Sequence, residues 1–351
     1  MNRRTPDSGS SVLGTLLIEA FNGYRHGLHR QLQTRTHMPP RDFNALIFLG
    51  TIGWARLKDR IRLRQLHIAC SDGLTATRQS RHEEALRCYE LAKEHLACLE
   101  NGDRLAWLLG VSTYQAGVAY LDFRRNRAER ARGRLDCSMD ADLELEQVGL
   151  PVMQMHRIQQ GHNLARMDLR LGRREAAIRL AGMLLAYMER RIDELPYHRK
   201  WSPRSLQAVP RTLLRAMIHQ IIGESADYIV TGDAQAEEWR VLIEASQLHP
   251  EAEAAVFPQV QHALRAQYCY LVGDVEGYLR NLERFFRLGI RNCHLLWYAI
   301  MVGLVDFCRE LNTHLSGQVL NVILRDSVKW RGLPPLLRSR LDGTAVLRTV
   351  A

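Results

Sequence analysis

Apolar residues recur at i, i+3, i+4 and i+7 along nearly the whole chain, while the strict alternation of a half-buried strand is nearly absent. Such spacing lines the apolar side chains up on one stripe of each helix, and each stripe has to be covered by another helix. The expected fold class is therefore all-α. Leu13, Leu16, Leu17, Ala20, Phe21 and Tyr24 predict a first helix over residues 11–32, after a disordered start. Pro39-Pro40 then stops the helix, because proline removes a donor and clashes with the preceding turn.

The same pattern predicts helices over residues 42–56, 58–77, 82–99, 103–122 and 126–137, a long one over 141–171 bent around Pro151, and one over 173–194. Pro196 to Pro210 is the clearest internal break. Helices resume over 211–230, 234–248, 251–272, 274–288, 291–313 and 315–328. The expected organisation is a leading segment, helix and linker (1–40), a first array (41–195), a loop (196–210), a second array (211–330) and a tail (331–351). Tight turns at Gly172, Gly232 and Gly273, each with an acidic residue one to three positions later, suit one helix ending and the next beginning.

Formal charge is +10, and only Lys58, Lys93, Lys200 and Lys329 among the 48 basic residues are lysine. Arginine suits planar, bidentate partners, but an arginine-rich codon bias gives the same composition. Seven scattered cysteines without a Cys-x-x-Cys pair point to a reducing compartment. The N-terminus lacks a convincing signal peptide, and the apolar run from Leu295 to Cys308 is too short to span a bilayer and carries Asp306. A cytoplasmic protein without membrane insertion is expected, the run being a buried helix.

One set of intervals recurs inside the hairpins. Gly73, Ala85, Tyr89 and Ala92 lie 12, 4 and 3 residues apart, as do Ala165, Ala177, Ala181 and Leu184, and Ala266, Tyr278, Leu282 and Phe285. A further candidate at Gly117 and Ala128 is one residue short. This pattern resembles a degenerate tetratricopeptide repeat, in which small residues let two helices approach and a larger one fills the groove against the next hairpin. The segment from Arg81 to Ala92 is its most typical second helix. The resemblance covers about half the chain and departs from the usual period of about 34 residues. It implies helical hairpins stacked into a right-handed solenoid whose first helices line a peptide groove.

On that resemblance Gln159, His162, Arg166 and Arg170 are the groove candidates, since they share one helix face and could grip a carboxylate. An ordinary solvated face has the same pattern. Arg124, Arg127, Arg130 and Arg134 form the densest basic stretch, suited to phosphates or to the outer face of a packed helix. Arg199, Lys200 and Trp201 mix bases with an aromatic, which fits stacking on unpaired bases or a loop plugged by Trp201. No metal set is expected, His26 and His29 lacking further ligands, and no phosphate loop or nucleophile elbow is present, so no cofactor is implied. The function expected is non-enzymatic binding of a protein or peptide by a scaffold, regulator or chaperone. The alternatives are nucleic-acid binding by an arginine-rich array and an enzyme whose site is assembled from distant residues. The oligomeric state is open.

Overall fold

The computed structural model describes residues 8–33, 47–48, 50–232, 235–246, 258–289, 294–330 and 332–342. Among them there is no β-strand, and the fold is all-α. The helices are α1 (Ser8–Gln33), α2 (Leu57–Arg78), α3 (His82–Ala97), α4 (Arg104–Arg124), α5 (Ala128–Gln147), α6 (Met153–Arg170) and α7 (Arg174–Met188). They continue with α8 (Arg211–Ile229), α9 (Gln235–Ala245), α10 (Pro258–Leu271), α11 (Val275–Arg287), α12 (His294–Leu311), α13 (His314–Ser327) and α14 (Pro335–Leu341). Contacts divide the chain into two units, Pro39–Met217 and Met1–Met38 with Ile218–Ala351. Much of the segment expected as a helix over 42–56 lies outside the described residues.

In the first unit α2–α3, α4–α5 and α6–α7 are successive hairpins, and α3 packs on α4, α5 on α6, and α2 along α4. Their turns obey one rule. Ser80, Asn126 and Gly172, spaced 46 residues apart, all adopt positive φ. The amides of the following arginines, Arg81, Arg127 and Arg173, bond back to the carbonyls of Ala76, Asp122 and Asp168 at 2.9, 2.9 and 2.8 Å. This closure satisfies a carbonyl that the helix end would leave bare. Glu83, Glu129 and Glu175 then sit in the first turn of α3, α5 and α7, where the helix dipole favours an acid.

All twelve residues of the three matched sets are buried. The middle hairpin has its own set, at Ala119, Ala131, Leu135 and Ser138, with the same intervals and equally buried. That corrects the expectation at Gly117 and Ala128. Gly117 faces the Tyr89 ring of the preceding hairpin, while Ala128 only begins α5. The first members of the sets, Gly73, Ala119 and Ala165, again lie 46 residues apart.

A single bent helix over 141–171 is also corrected. α5 runs through Gln147, and Gly149 at φ +101° lets the amide of Leu150 bond the carbonyl of Leu145 at 3.0 Å. Pro151 follows, and α6 starts afresh at Met153. Between α7 and α8, the expected loop contains a short 3-10 helix, Pro203–Ala208.

In the second unit α10 and α11 pair as a hairpin, closed by Gly273 at φ +77° and capped by Asp274, which accepts from the amide of Gly277 at 2.8 Å. α12 is apolar all round and buried from Leu296 to Val302, as expected of the run from Leu295 to Cys308. Its Trp297 packs with Tyr24, Phe286, Tyr298 and Trp330 in one aromatic cluster. Tyr24 belongs to α1, which crosses α11 and touches α13, so the first helix belongs with the C-terminal helices and not with a separate leading segment. No helix among the described residues is long and apolar enough to cross a membrane.

Candidate functional site

α6 is polar in sequence, yet every residue from Met153 to His162 is buried. α5 and α7 pack on it, and the segment after α7 wraps over it. Two of the four groove candidates are therefore inside the protein: Gln159 is 5% exposed and His162 2%. Arg166 is half-buried, 3.4 Å from Asn163 Oδ1, and Arg170 is exposed with its guanidinium 5.7 Å from the Phe123 ring. The four share a helix but not an open groove. Helical spacing fixes which residues share a face, whereas the wrapping segment decides whether that face meets water.

The strongest feature of this region is Arg157, fully buried on α6. Its guanidinium donates to Glu146 Oε1 and Oε2 at 3.0 and 3.1 Å and to the carbonyl of Arg199 at 2.6 Å, and lies 3.0 Å from His198 Nδ1. It stacks on the Trp201 ring at 3.9 Å, and Trp201 packs edge-on to Tyr187 and Tyr197. Burial pushes the Glu146 carboxyl up to about 7, against the downward pull of Arg157. A buried cation needs such partners, because desolvating it unpaired is costly. Sequence inspection missed Arg157. Its one signal was position on a helix that also carries His156, Gln159 and Gln160, too many polar groups for a one-sided amphipathic helix.

Beside it runs a chain of buried hydrogen bonds. Ser112 donates to Asp142 Oδ1 at 2.5 Å and lies 3.0 Å from His156 Nδ1, the same nitrogen that contacts Asp142 Oδ2 at 2.8 Å. His156 Nε2 meets Gln160 at 2.9 Å, and Asn163 donates to Gln160 at 3.0 Å. Serine, histidine and aspartate can together support nucleophilic catalysis, but the geometry here differs. In a working triad the hydroxyl and the carboxylate use opposite imidazole nitrogens. Here both use one nitrogen, and Ser112 is 1% exposed. The network joins α4, α5 and α6 as a structural pin.

The basic stretch is organised around an acid. Arg127, Arg130 and Arg134 approach the Asp122 carboxylate at 3.9, 3.2 and 2.7 Å, and Arg124 donates to Ser80 Oγ at 3.3 Å. Arg199 is exposed and 3.9 Å from Asp140, Lys200 is exposed, and Trp201 is held by Arg157. Of the aromatic and basic cluster, the aromatic is engaged within the fold. Among the described residues no group of three or more His, Cys, Asp or Glu side chains is placed to hold a metal ion.

Comparison with protein-family models, with curated proteins and with solved structures finds no match to this chain.

Proposed function

We propose that the chain is a non-enzymatic helical-repeat scaffold, regulator or chaperone of the tetratricopeptide-like solenoid class, binding a protein or peptide. The observation that carries this is the insertion of Tyr89 between Gly73 of its own hairpin and Gly117 of the next, within a series of hairpins repeating every 46 residues. Hairpins that lock only to their neighbours leave extended helix faces for partners. The cysteines Cys70, Cys88, Cys98, Cys137, Cys269 and Cys308 are free thiols, which suits a reducing, cytoplasmic setting. The reading as a nucleic-acid binder has less support, because Trp201 is stacked on Arg157 and three arginines share Asp122.

The test is affinity purification from the native host, followed by reconstitution from purified components. A protein that re-forms a complex with the chain is the expected result. Retention of nucleic acid alone, released steeply by salt, would overturn the proposal.

A further inference from the structure

α2 opens the hairpin series, and its outer face is bare. Leu57 is 76% exposed, Ile61 66% and Ile68 51%, and Trp54 just before the helix is 63% exposed. Offsets of four and seven residues put Leu57, Ile61 and Ile68 on one stripe. Lys58 and Arg62 flank it on one side and Arg64 on the other, all exposed. The single acid between Arg56 and Ser71 is Asp59, which points inward and is 7% exposed.

The repeat shows what covers this face elsewhere. Ile61, Arg64 and Ile68 correspond, one 46-residue step on, to Trp107, Gly110 and Tyr114, and one step further to Met153, His156 and Gln160. Gly110, Tyr114, Met153, His156 and Gln160 are buried. A β-carbon at Gly110 would stand 2.9 Å from Leu96 of α3, and His156 contacts Asp142 of α5. In both cases the second helix of the preceding hairpin covers the position.

We propose that the outer face of α2 docks an amphipathic helix of a partner protein, apolar on one side and edged with acidic residues, seated where a preceding second helix would lie. This rests on the reading of the chain as a protein-binding repeat array and names the surface and the partner's chemistry. The basic flanks select an acidic partner, since like charges facing each other are penalised. A second copy applying the same face would set Lys58, Arg62 and Arg64 against themselves. The residues just before the described helix, with Pro39-Pro40, Arg35 and Arg41 around the lone Asp42, do not offer an acidic helix either.

The experiment is a selection from a displayed library of helical peptides with apolar residues at i, i+4 and i+7 and randomised flanks, on the immobilised full-length chain. Enriched peptides should carry Asp and Glu at the flanks. The best of them, synthesised, should bind the Ile61→Gln/Ile68→Gln chain at least about tenfold more weakly, as loss of buried apolar area requires. Arg62→Glu/Arg64→Glu should weaken it comparably, with binding to wild type falling as salt rises. Circular dichroism melting of both variants should match wild type, because the substituted side chains are exposed. Acidic peptides enriched equally by wild type and the Gln variant would overturn this surface and leave the broader reading standing. No peptide retained by either chain would remove both. Binding to phosphatidylserine vesicles without peptide binding, or a dimer dissolved by the Gln substitutions, would assign the face to a membrane or to a second copy and overturn the proposal.

Discussion

The ring of Tyr89 lies against Gly117 so closely that a β-carbon there would stand 2.9 Å from its edge. On its other side, a β-carbon at Gly73 would stand 2.9 Å from the same ring. Tyr89 is 2% exposed, so the ring cannot swing into solvent. One aromatic thereby couples two hairpins through two glycines. Gly117→Ala should gain helix propensity yet lose about 1–3 kcal/mol overall through overpacking. Tyr89→Leu should be less destabilising in the Gly117→Ala background than in wild type, a coupling that urea melts of the four chains would measure. Additive effects would mean that the two residues do not act on each other.

Arg157 ties the segment after α7 to α6 through two backbone carbonyls, a histidine and a tryptophan face. Arg157→Met removes all of these and leaves Glu146 buried without its cation. The expected cost is about 3–5 kcal/mol, the range for breaking one side of a buried pair. Arg157→Lys should rescue little, because an ammonium cannot both stack on Trp201 and fork to several acceptors. Amide exchange should rise over residues 197–202 in both variants. Protection unchanged in Arg157→Met would show that the segment is held by other contacts.

Glu146 makes stability depend on pH in a definite direction. Its ordinary value is 4.5 and burial raises it to about 7. The folded chain then holds this proton more tightly than the unfolded chain, so the stabilisation is complete below the ordinary value and is lost as pH rises through the folded one. The swing is about 3 kcal/mol between pH 4.5 and 7. Glu146→Gln should flatten that part of the profile. Urea midpoints at pH 5 and 7.5 measure it: wild type should fall relative to Glu146→Gln as pH rises, and parallel curves would show that Glu146 is ionised throughout.

The helical class and the matched sets were legible because burial period and small-residue spacing are local properties of the sequence. Positions such as Ala85, Ala181 and Leu282 are buried where their spacing puts them. The middle set was misplaced because Gly117 is small for a different reason: it clears Tyr89 of the neighbouring hairpin. The 46-residue rhythm was also open to view in Arg81, Arg127 and Arg173, each two residues before a glutamate. It was hidden by three different turn residues, Ser80, Asn126 and Gly172, that share one backbone conformation. The groove at Gln159 and His162 could not be judged from spacing, because the segment that buries α6 lies some forty residues on, and its anchor is a lone arginine. The same limit placed α1 in a leading segment, since nothing local announces that Tyr24 donates to Asp326 at 2.9 Å.

Two glycines of α1 offer matched substitutions with opposite expected outcomes. Gly27 lies against the backbone carbonyl of Phe286, and Gly23 against that of Glu283, so α1 meets α11 backbone to backbone. A methyl at Gly27 has nowhere to go, because a carbonyl within a helix cannot rotate aside. Gly27→Ala should therefore cost about 1–3 kcal/mol or more and lift α1 from α11. Tyr24 would leave its packing with Trp297, so tryptophan emission should shift to the red and amide exchange should rise along α1. Gly14→Ala adds the same methyl to the same helix, but its nearest neighbour is a Leu315 side-chain carbon at 3.4 Å, a flexible end that can yield. Here propensity should dominate, with a gain of about 0.5–1 kcal/mol. Equal effects at the two positions would mean that the crossing of α1 and α11 is not the close one described, and that α1 is held by its apolar stripe alone.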